Sequence, residues 1–297
     1  MRAIAKGKAE GFMKKRTYLF DWLRLLGALL VVIGHSAVLL SLQPAMVGDY
    51  GVHTLGVIIF FTISGYLITG SWKNDPHFFR YAEKRARRIM PALLVVVFLT
   101  ALVLGPLVTS DPNYFGDPQV RKYVWRNSLL LPYHQLPGVF AANPETAVNG
   151  SLWTLPVEVF MYVMTPILVL AGPWVCTAGA IALLLFPFNQ EIAGFGLAGA
   201  SSVIPFFMLG AAGRLWGAEL PRFGMPKLSV DLSYGMYLLA FPTQQTFIFL
   251  HPDITPLALT SATVLACAPL AWLSWTFIEK PMVRGRSLVG VKHTTLP

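Results

Sequence analysis

Apolar residues along the chain come in blocks of about 20, the length of helix that crosses a bilayer core. Polar, basic or Gly- and Pro-containing stretches separate them. Eight blocks stand out, at residues 18–41, 54–72, 89–108, 152–171, 174–188, 196–216, 229–250 and 257–278. Most are apolar all round, so they predict helices surrounded by lipid and by one another. The expected fold is all-α, a polytopic transmembrane bundle of about eight spans, with ten as the upper bound. Residues 121–140 are too short and too proline-broken to cross, which predicts a re-entrant or interfacial segment. The 174–188 block is short for a full crossing.

Charge gives these helices a direction. With the N-terminus inside, one side holds Lys6, Lys8, Lys14, Lys15 and Arg16, then Lys73, Arg80, Lys84, Arg85, Arg87 and Arg88. It also holds Arg214, Arg222 and Lys227, and finally Lys280, Arg284, Arg286 and Lys292. The other side holds only Arg121, Lys122 and Arg126. Basic loops stay in the cytoplasm, so both termini are expected there. The predicted organisation is a basic arm (1–17), a membrane domain (18–280) and a basic tail (281–297). This topology accounts for the net charge of +9 without a nucleic-acid partner. Composition agrees: 55% of the 297 residues are hydrophobic and 12% charged, with a mean hydropathy of +0.59. The basic start lacks a cleavage site and runs into a long apolar block, so the first span is expected to be retained. Cys176 and Cys267 lie inside apolar blocks and predict neither a disulfide framework nor a metal site.

The first block, DWLRLLGALLVVIGHS, carries Asp21, Arg24 and His35 in an otherwise apolar run. Eleven residues at 100° each bring Arg24 and His35 within about 20° of one another on the helix, about 16 Å apart along its axis. Asp21 lies three residues before Arg24, near the same stripe. Ionisable groups at such depth face a cavity or a partner. Two simpler accounts stand beside this one: Arg24 snorkels to headgroups, and His35 bonds a neighbouring carbonyl.

Several stretches resemble the acyltransferase-3 family of membrane proteins. FDWLRLLGALLVVIGHS resembles its first span, with Arg, ten residues, then His. GVIIFFTISGYLIT, FFRYAEKRARRIMPALL, SLWTLPVEVFMYVMTP, LSYGMYLLAFP and FIEKPMVR follow in the family's order. Two positions depart from its pattern: Ile58 stands where Asp is frequent, and Pro156 replaces a common Ser before Glu158. The resemblance implies an O-acyltransferase of the bacterial inner membrane. Acyl-CoA, acetyl-CoA above all, would be the co-substrate, with no tightly bound cofactor. The acceptor would be a hydroxyl of a surface polysaccharide, a lipid-linked glycan or a small molecule, reached from the extracytoplasmic side.

Such chemistry assigns roles. His35 is the expected general base, since its ordinary pKa lies near working pH; an acyl-His35 intermediate is the alternative route. Glu158, entering the membrane from the outer side, is the expected orienting carboxylate. Asp21 is expected to pair with Arg24. Arg85 and Arg88, three apart, and Arg87 are expected near the phosphates of CoA, with Arg24 beside them; without the resemblance, topology and anionic lipid would be the first account of such a cluster. Ser64, Gly65, Trp153, Tyr162 and Tyr234 are candidates for the substrate passage, although Ser64 and Gly65 read first as helix-packing residues. His53, His77, His134 and His251 are expected at the surface. A proton-coupled transporter or flippase is the rival reading, because intramembrane Arg, His and Glu also build proton relays. A structural scaffold is the third.

Overall fold

The structure is a computed structural model that describes residues 2–187, 199–218 and 225–285, with residues 2–17 described as backbone only. The basic side chains of the 1–17 arm, Arg222, and the tail beyond residue 285 with Arg286 and Lys292 lie outside the described residues. So do the stretches that close the 174–188 block and open the 196–216 block.

Helices dominate. In chain order they are α1 (Arg2–Val38), α2 (Val52–Asn74), α3 (Phe78–Leu99), α4 (Gly105–Val108) and α5 (Pro118–Ser128). Then come α6 (Thr154–Leu185), α7 (Ala200–Leu215), α8 (Ser233–Leu250), α9 (Pro256–Ser274) and α10 (Lys280–Arg284). A two-stranded hairpin, β1 (Met46–Val47) and β2 (Tyr50–Gly51), leads into α2 with Met46 opposite Gly51. Among the described residues five helical stretches are long and apolar enough to cross a membrane: Tyr18–Val38, Val52–Asn74, Phe78–Val108, Gly150–Leu185 and Pro256–Arg284. Their outward faces carry Leu26, Ile33, Phe98, Leu102, Leu170 and Leu265 exposed, which suits hydrocarbon rather than water.

Each of the eight apolar blocks falls on a helix. Two of them, 152–171 and 174–188, are the halves of α6. Gly172 breaks that helix, with φ 85° and ψ 173°, immediately before Pro173. Cys176 Sγ consequently lies 3.6 Å from Leu168 O. A straight helix would hold residues eight apart about 12 Å apart along its axis, so the chain turns sharply here. Segment 121–140 does not form a span: it supplies part of α5 and an irregular loop.

The third block needs a larger correction. Its helix starts at Phe78, not near residue 89, with His77 Nδ1 accepting from Arg80 N at 3.4 Å as the cap. Arg85, Arg87 and Arg88 therefore sit on the first turns of α3 rather than in a loop. The basic residues are spaced so that an amphipathic start precedes the apolar run, and loop and span merge into one helix.

Helix α2 is central, packed between α1 and α7. Glycines set the close approaches. A Cβ on Gly27 would lie 3.0 Å from Gly56 O, while Gly65 abuts the Phe207 backbone and Gly210 the Thr62 carbonyl. Small residues let membrane helices meet backbone to backbone. On the other side α1 is fixed by Gln244 of α8, which donates to Val32 O at 2.9 Å and to Ser36 Oγ at 2.7 Å. Thr260 of α9 donates to the same Ser36 hydroxyl at 2.8 Å. These bonds set the rotation of α1 and hence the direction of its polar stripe.

Candidate active site

One cavity of about 830 Å³ lies among α1, α2, α3, α6, α8 and the segment before α8. That is the size range of pockets for small molecules and cofactors. Its rim carries the exposed cations Lys84, Lys227 and Arg284. Arg24, Arg85, Arg87 and Arg88 line its polar end, and Ser64, Glu158, Tyr162 and Tyr234 its middle. Val57, Leu155, Thr154 and Tyr237, all buried, form part of its wall. Residues from six helices, α10 with Arg284 among them, thus meet where the sequence showed only separate motifs.

The four arginines are not equivalent. Arg88 Nη2 donates to Asp231 Oδ2 at 2.6 Å, and Arg88 Nη1 to Glu279 Oε2 at 3.1 Å. Glu279 is fully buried and also accepts from Ser274 Oγ at 3.0 Å. Arg88 therefore holds α3 to the start of α8 and the end of α9, and its guanidinium already has two carboxylates. Arg87 pairs with Glu83 at 2.8 Å. Arg24 lies 3.9 Å from Asp21, the pairing expected from sequence. Arg85 differs: its Nη2 makes a long bond to Ser71 Oγ at 3.4 Å, and its buried Nε has no partner among the described residues. Its guanidinium carbon stands about 6 Å from the ring centres of Tyr81 and Tyr162, at 5.9 and 6.0 Å. Of the three arginines on α3, Arg85 has the most donor capacity left for an anion, and Arg24, with only its 3.9 Å contact to Asp21, also keeps donors.

Glu158 Oε1 accepts from Ser64 Oγ at 3.3 Å and from the Tyr162 hydroxyl. This ties α2 to α6 across the cavity. Tyr234 is anchored by its hydroxyl to Ile89 O at 2.9 Å, with its ring 5.5 Å from the Arg88 guanidinium carbon.

His35 does not line this cavity. Its ring lies 5.6 Å from that of His53 and 5.3 Å, edge on, from that of Phe241. Its Nδ1 is buried and has no hydrogen-bond partner among the described residues, so the carbonyl bond considered from sequence is not made there. Glu158 is bonded to Ser64 and Tyr162 rather than to His35. Val57 and Tyr237, in the cavity wall, are each four residues from His53 and Phe241, the side chains flanking His35. The cavity and His35 are thus about one helical turn, roughly 6 Å, apart along α2 and α8.

Of the other candidates, Gly65 packs on Phe207 of α7, as the helix-packing reading expects, and is not among the residues lining this cavity. Trp153 is part of the core and packs over Gly199. The expectation of four surface histidines fails for His53, which is half-buried against His35. It also needs amending for His134, whose Nδ1 is 2.9 Å from Asn149 O. Sequence reasoning missed Asp231 and Glu279 as the partners of Arg88. They lie 143 and 191 residues away, and helical spacing reports nothing at that range. Among the described residues no cluster of His, Cys, Asp or Glu could hold a metal ion.

Comparison with known proteins agrees with this architecture. Two curated relatives align over almost their whole lengths. An "O-acetyl transferase" of Shigella phage Sf6 is 27% identical across 88% of this chain and 94% of its own. "Nodulation protein 10" of Rhizobium leguminosarum bv. viciae is 28% identical across 93% of this chain and 96% of its own. No solved structure matches. The family model described as "Acyltransferase domain" matches residues 18–284, every helix from the apolar part of α1 to α10, and the chain belongs to this acyltransferase-3 family.

Proposed function

We propose that this protein is a membrane O-acyltransferase that moves an acyl group, acetyl in the first instance, from acyl-CoA to a hydroxyl of a carbohydrate at the cell envelope. The name of the phage relative supports O-acetyl transfer. The observation that carries the reading is a cavity with arginines at one end and an imidazole lying beyond its inner wall.

In this reading the arginine-lined end faces the cytoplasm of a bacterium, as the distribution of Lys and Arg requires. Arg85 and Arg24 bind the phosphates of CoA, Arg85 through its unpaired Nε. The pantetheine arm runs past Ser64, Glu158 and Tyr162 toward Tyr237. A turn of the Phe241 side chain opens the last few ångströms to His35. The acceptor hydroxyl comes from the opposite side and attacks the thioester carbonyl. His35 takes its proton as the C–O bond forms, the C–S bond breaks, and the proton passes to the departing sulfur to give CoA as the free thiol. The buried site strengthens each of these electrostatic contacts by excluding water.

The test uses the full chain in lipid nanodiscs. Acetyl-CoA is expected to raise its melting temperature, and Arg85→Ala to abolish that rise. His35→Ala is expected to bind acetyl-CoA normally yet release no free thiol from it. Thiol release by His35→Ala at the wild-type rate would overturn the mechanism. Indifference of the wild type to acetyl-CoA would favour the transporter reading instead.

A further inference from the structure

His53 is the ring neighbour of His35 across the contact between α1 and α2. It stands on the first turn of α2, preceded by the hairpin that brings the chain back from α1. Its ring is held between two glycines. A Cβ on Gly34 would lie 2.6 Å from its backbone N and Cβ and 2.9 Å from its Nδ1. A Cβ on Gly51 would lie 2.6 Å from its Cε1. Gly34 directly precedes His35, so the residue that makes room for one ring sets the backbone of the other.

Both Nδ1 atoms, of His35 and of His53, are buried without a partner among the described residues. Burying an unpaired polar atom is costly, and two such atoms on neighbouring rings call for a shared explanation. The ring planes are tilted by 34° with centres 5.6 Å apart. At that separation a rotation of one ring or a bridging water would join them. On its other side His35 meets the edge of Phe241, which offers no lone pair or charge. The nearby Gln244 and Ser36 of α8 and α1 are neutral and bonded to each other. His53 is thus the ionisable group that faces His35. The carboxylate expected in that role, Glu158, is engaged by Ser64 and Tyr162.

We infer that His53 is a positioning residue for His35: it hydrogen-bonds the imidazole, fixes which ring nitrogen is free to accept the substrate proton, and stabilises the protonated ring, the task a carboxylate performs in other acid–histidine pairs. The inference rests on the acyltransferase reading above.

Three variants test it in nanodiscs: His53→Phe keeps a ring but no nitrogen, His53→Gln keeps a hydrogen-bonding group, and Gly34→Ala pushes the start of α2, with the His53 ring, away from α1 while leaving both imidazoles in the chain. Thiol release from acetyl-CoA, with water as acceptor, gives kcat and KM, and thermal melting reports folding. His53→Phe and Gly34→Ala are expected to lower kcat about tenfold or more with KM for acetyl-CoA unchanged, and His53→Gln to recover part of the loss. The chain has six histidines, so nitrogen-15 NMR of the imidazoles can follow His35 directly. Its titration is expected to move in His53→Phe and in His53→Gln. An unchanged His35 titration and unchanged kcat in His53→Phe overturn the inference while leaving the enzyme reading intact; should that variant not fold, the same two readings on His53→Gln decide. Full activity in His35→Ala overturns both.

Discussion

Arg88 and Glu279 meet at 3.1 Å with the carboxylate fully buried, joining the arginine-rich start of α3 to the end of the α9 stretch. The same guanidinium reaches Asp231 at 2.6 Å. An arginine that looks like a ligand for phosphate is therefore part of the frame of the site.

The two arginines three residues apart on α3 are expected to fail differently when replaced. Arg88→Ala leaves Glu279 buried beside no cation, a change that costs about 3–5 kcal/mol in comparable buried pairs. The variant should melt well below the wild type in detergent or nanodiscs. Arg85→Ala breaks a long bond to Ser71 and its distant contacts with the Tyr81 and Tyr162 rings, leaves no acid unpaired, and should cost less, about 1–2 kcal/mol. Its KM for acetyl-CoA should instead rise about tenfold or more, the loss of one charge-assisted contact. Melting curves and thiol-release kinetics on both proteins check the contrast.

Glu158 offers a separate prediction. Its Oε1 receives hydroxyls from α2 and from its own helix, at Ser64 and Tyr162. Glu158→Gln retains a carbonyl oxygen for these donors and removes the charge. We expect the fold to hold and turnover to fall about 10- to 100-fold, as when a second-layer hydrogen-bond partner is lost at other sites. Ser64→Ala, which leaves the charge and Tyr162 in place, should lose less. A Glu158→Gln protein with wild-type turnover would reduce this carboxylate to a strut between α2 and α6.

Between α2 and α3, Asp75 accepts from Arg80 at 2.5 Å and from Lys84 at 2.9 Å. These bonds hold its carboxyl well below the ordinary carboxylate range. A depressed value in the folded state means the stabilisation is present above the unfolded value of about 3.9 and fades as the pH falls below it. The gap in melting temperature between wild type and Asp75→Asn should therefore be constant from pH 7 to about 5 and narrow as acid is added below pH 4. The clamp is exposed to solvent, so its size should also shrink with salt. A gap that widened in acid would reverse the sign and exclude this carboxylate as its source.

Much of this organisation was legible in the sequence because it is local. Apolar blocks gave the helices, and Gly172-Pro173 marked the break in α6 because one residue takes a positive φ and the next lacks an amide proton. The Asp21–Arg24 contact follows from i,i+3 spacing. What remained hidden is non-local. Nothing near His53 in sequence announces that it faces His35, 18 positions earlier, since that depends on the hairpin turning α2 back along α1. Periodicity likewise placed Arg85 and Arg88 on one helix face but could not tell the guanidinium that pairs with no acid from the one held by two. The start of α3 lies earlier than the apolar block because the cations from Arg80 to Arg88 interrupt the apolar run, although Phe78, Phe79 and Tyr81 already begin the helix.

Gly65 and Gly172 separate two reasons for glycine and give the last prediction. Gly65 lies on the backbone of Phe207, where α2 and α7 touch. Nothing flexible lies in the way of an added methyl group, so Gly65→Ala must push the helices apart, at a cost of about 1–3 kcal/mol typical of overpacking. Phe207 and the Thr62–Gly210 contact lie on the same seam, so the damage should reach the neighbouring Ser64–Glu158 bond and lower turnover as well. Gly172 has open space around its missing side chain but a φ of 85°. Gly172→Ala should cost about 1–3 kcal/mol through backbone strain alone and leave turnover unchanged, because the bend lies away from the cavity-lining residues. Melting temperatures and thiol release for the two variants distinguish these cases. Equal losses of turnover would mean that the bend in α6 governs the site after all.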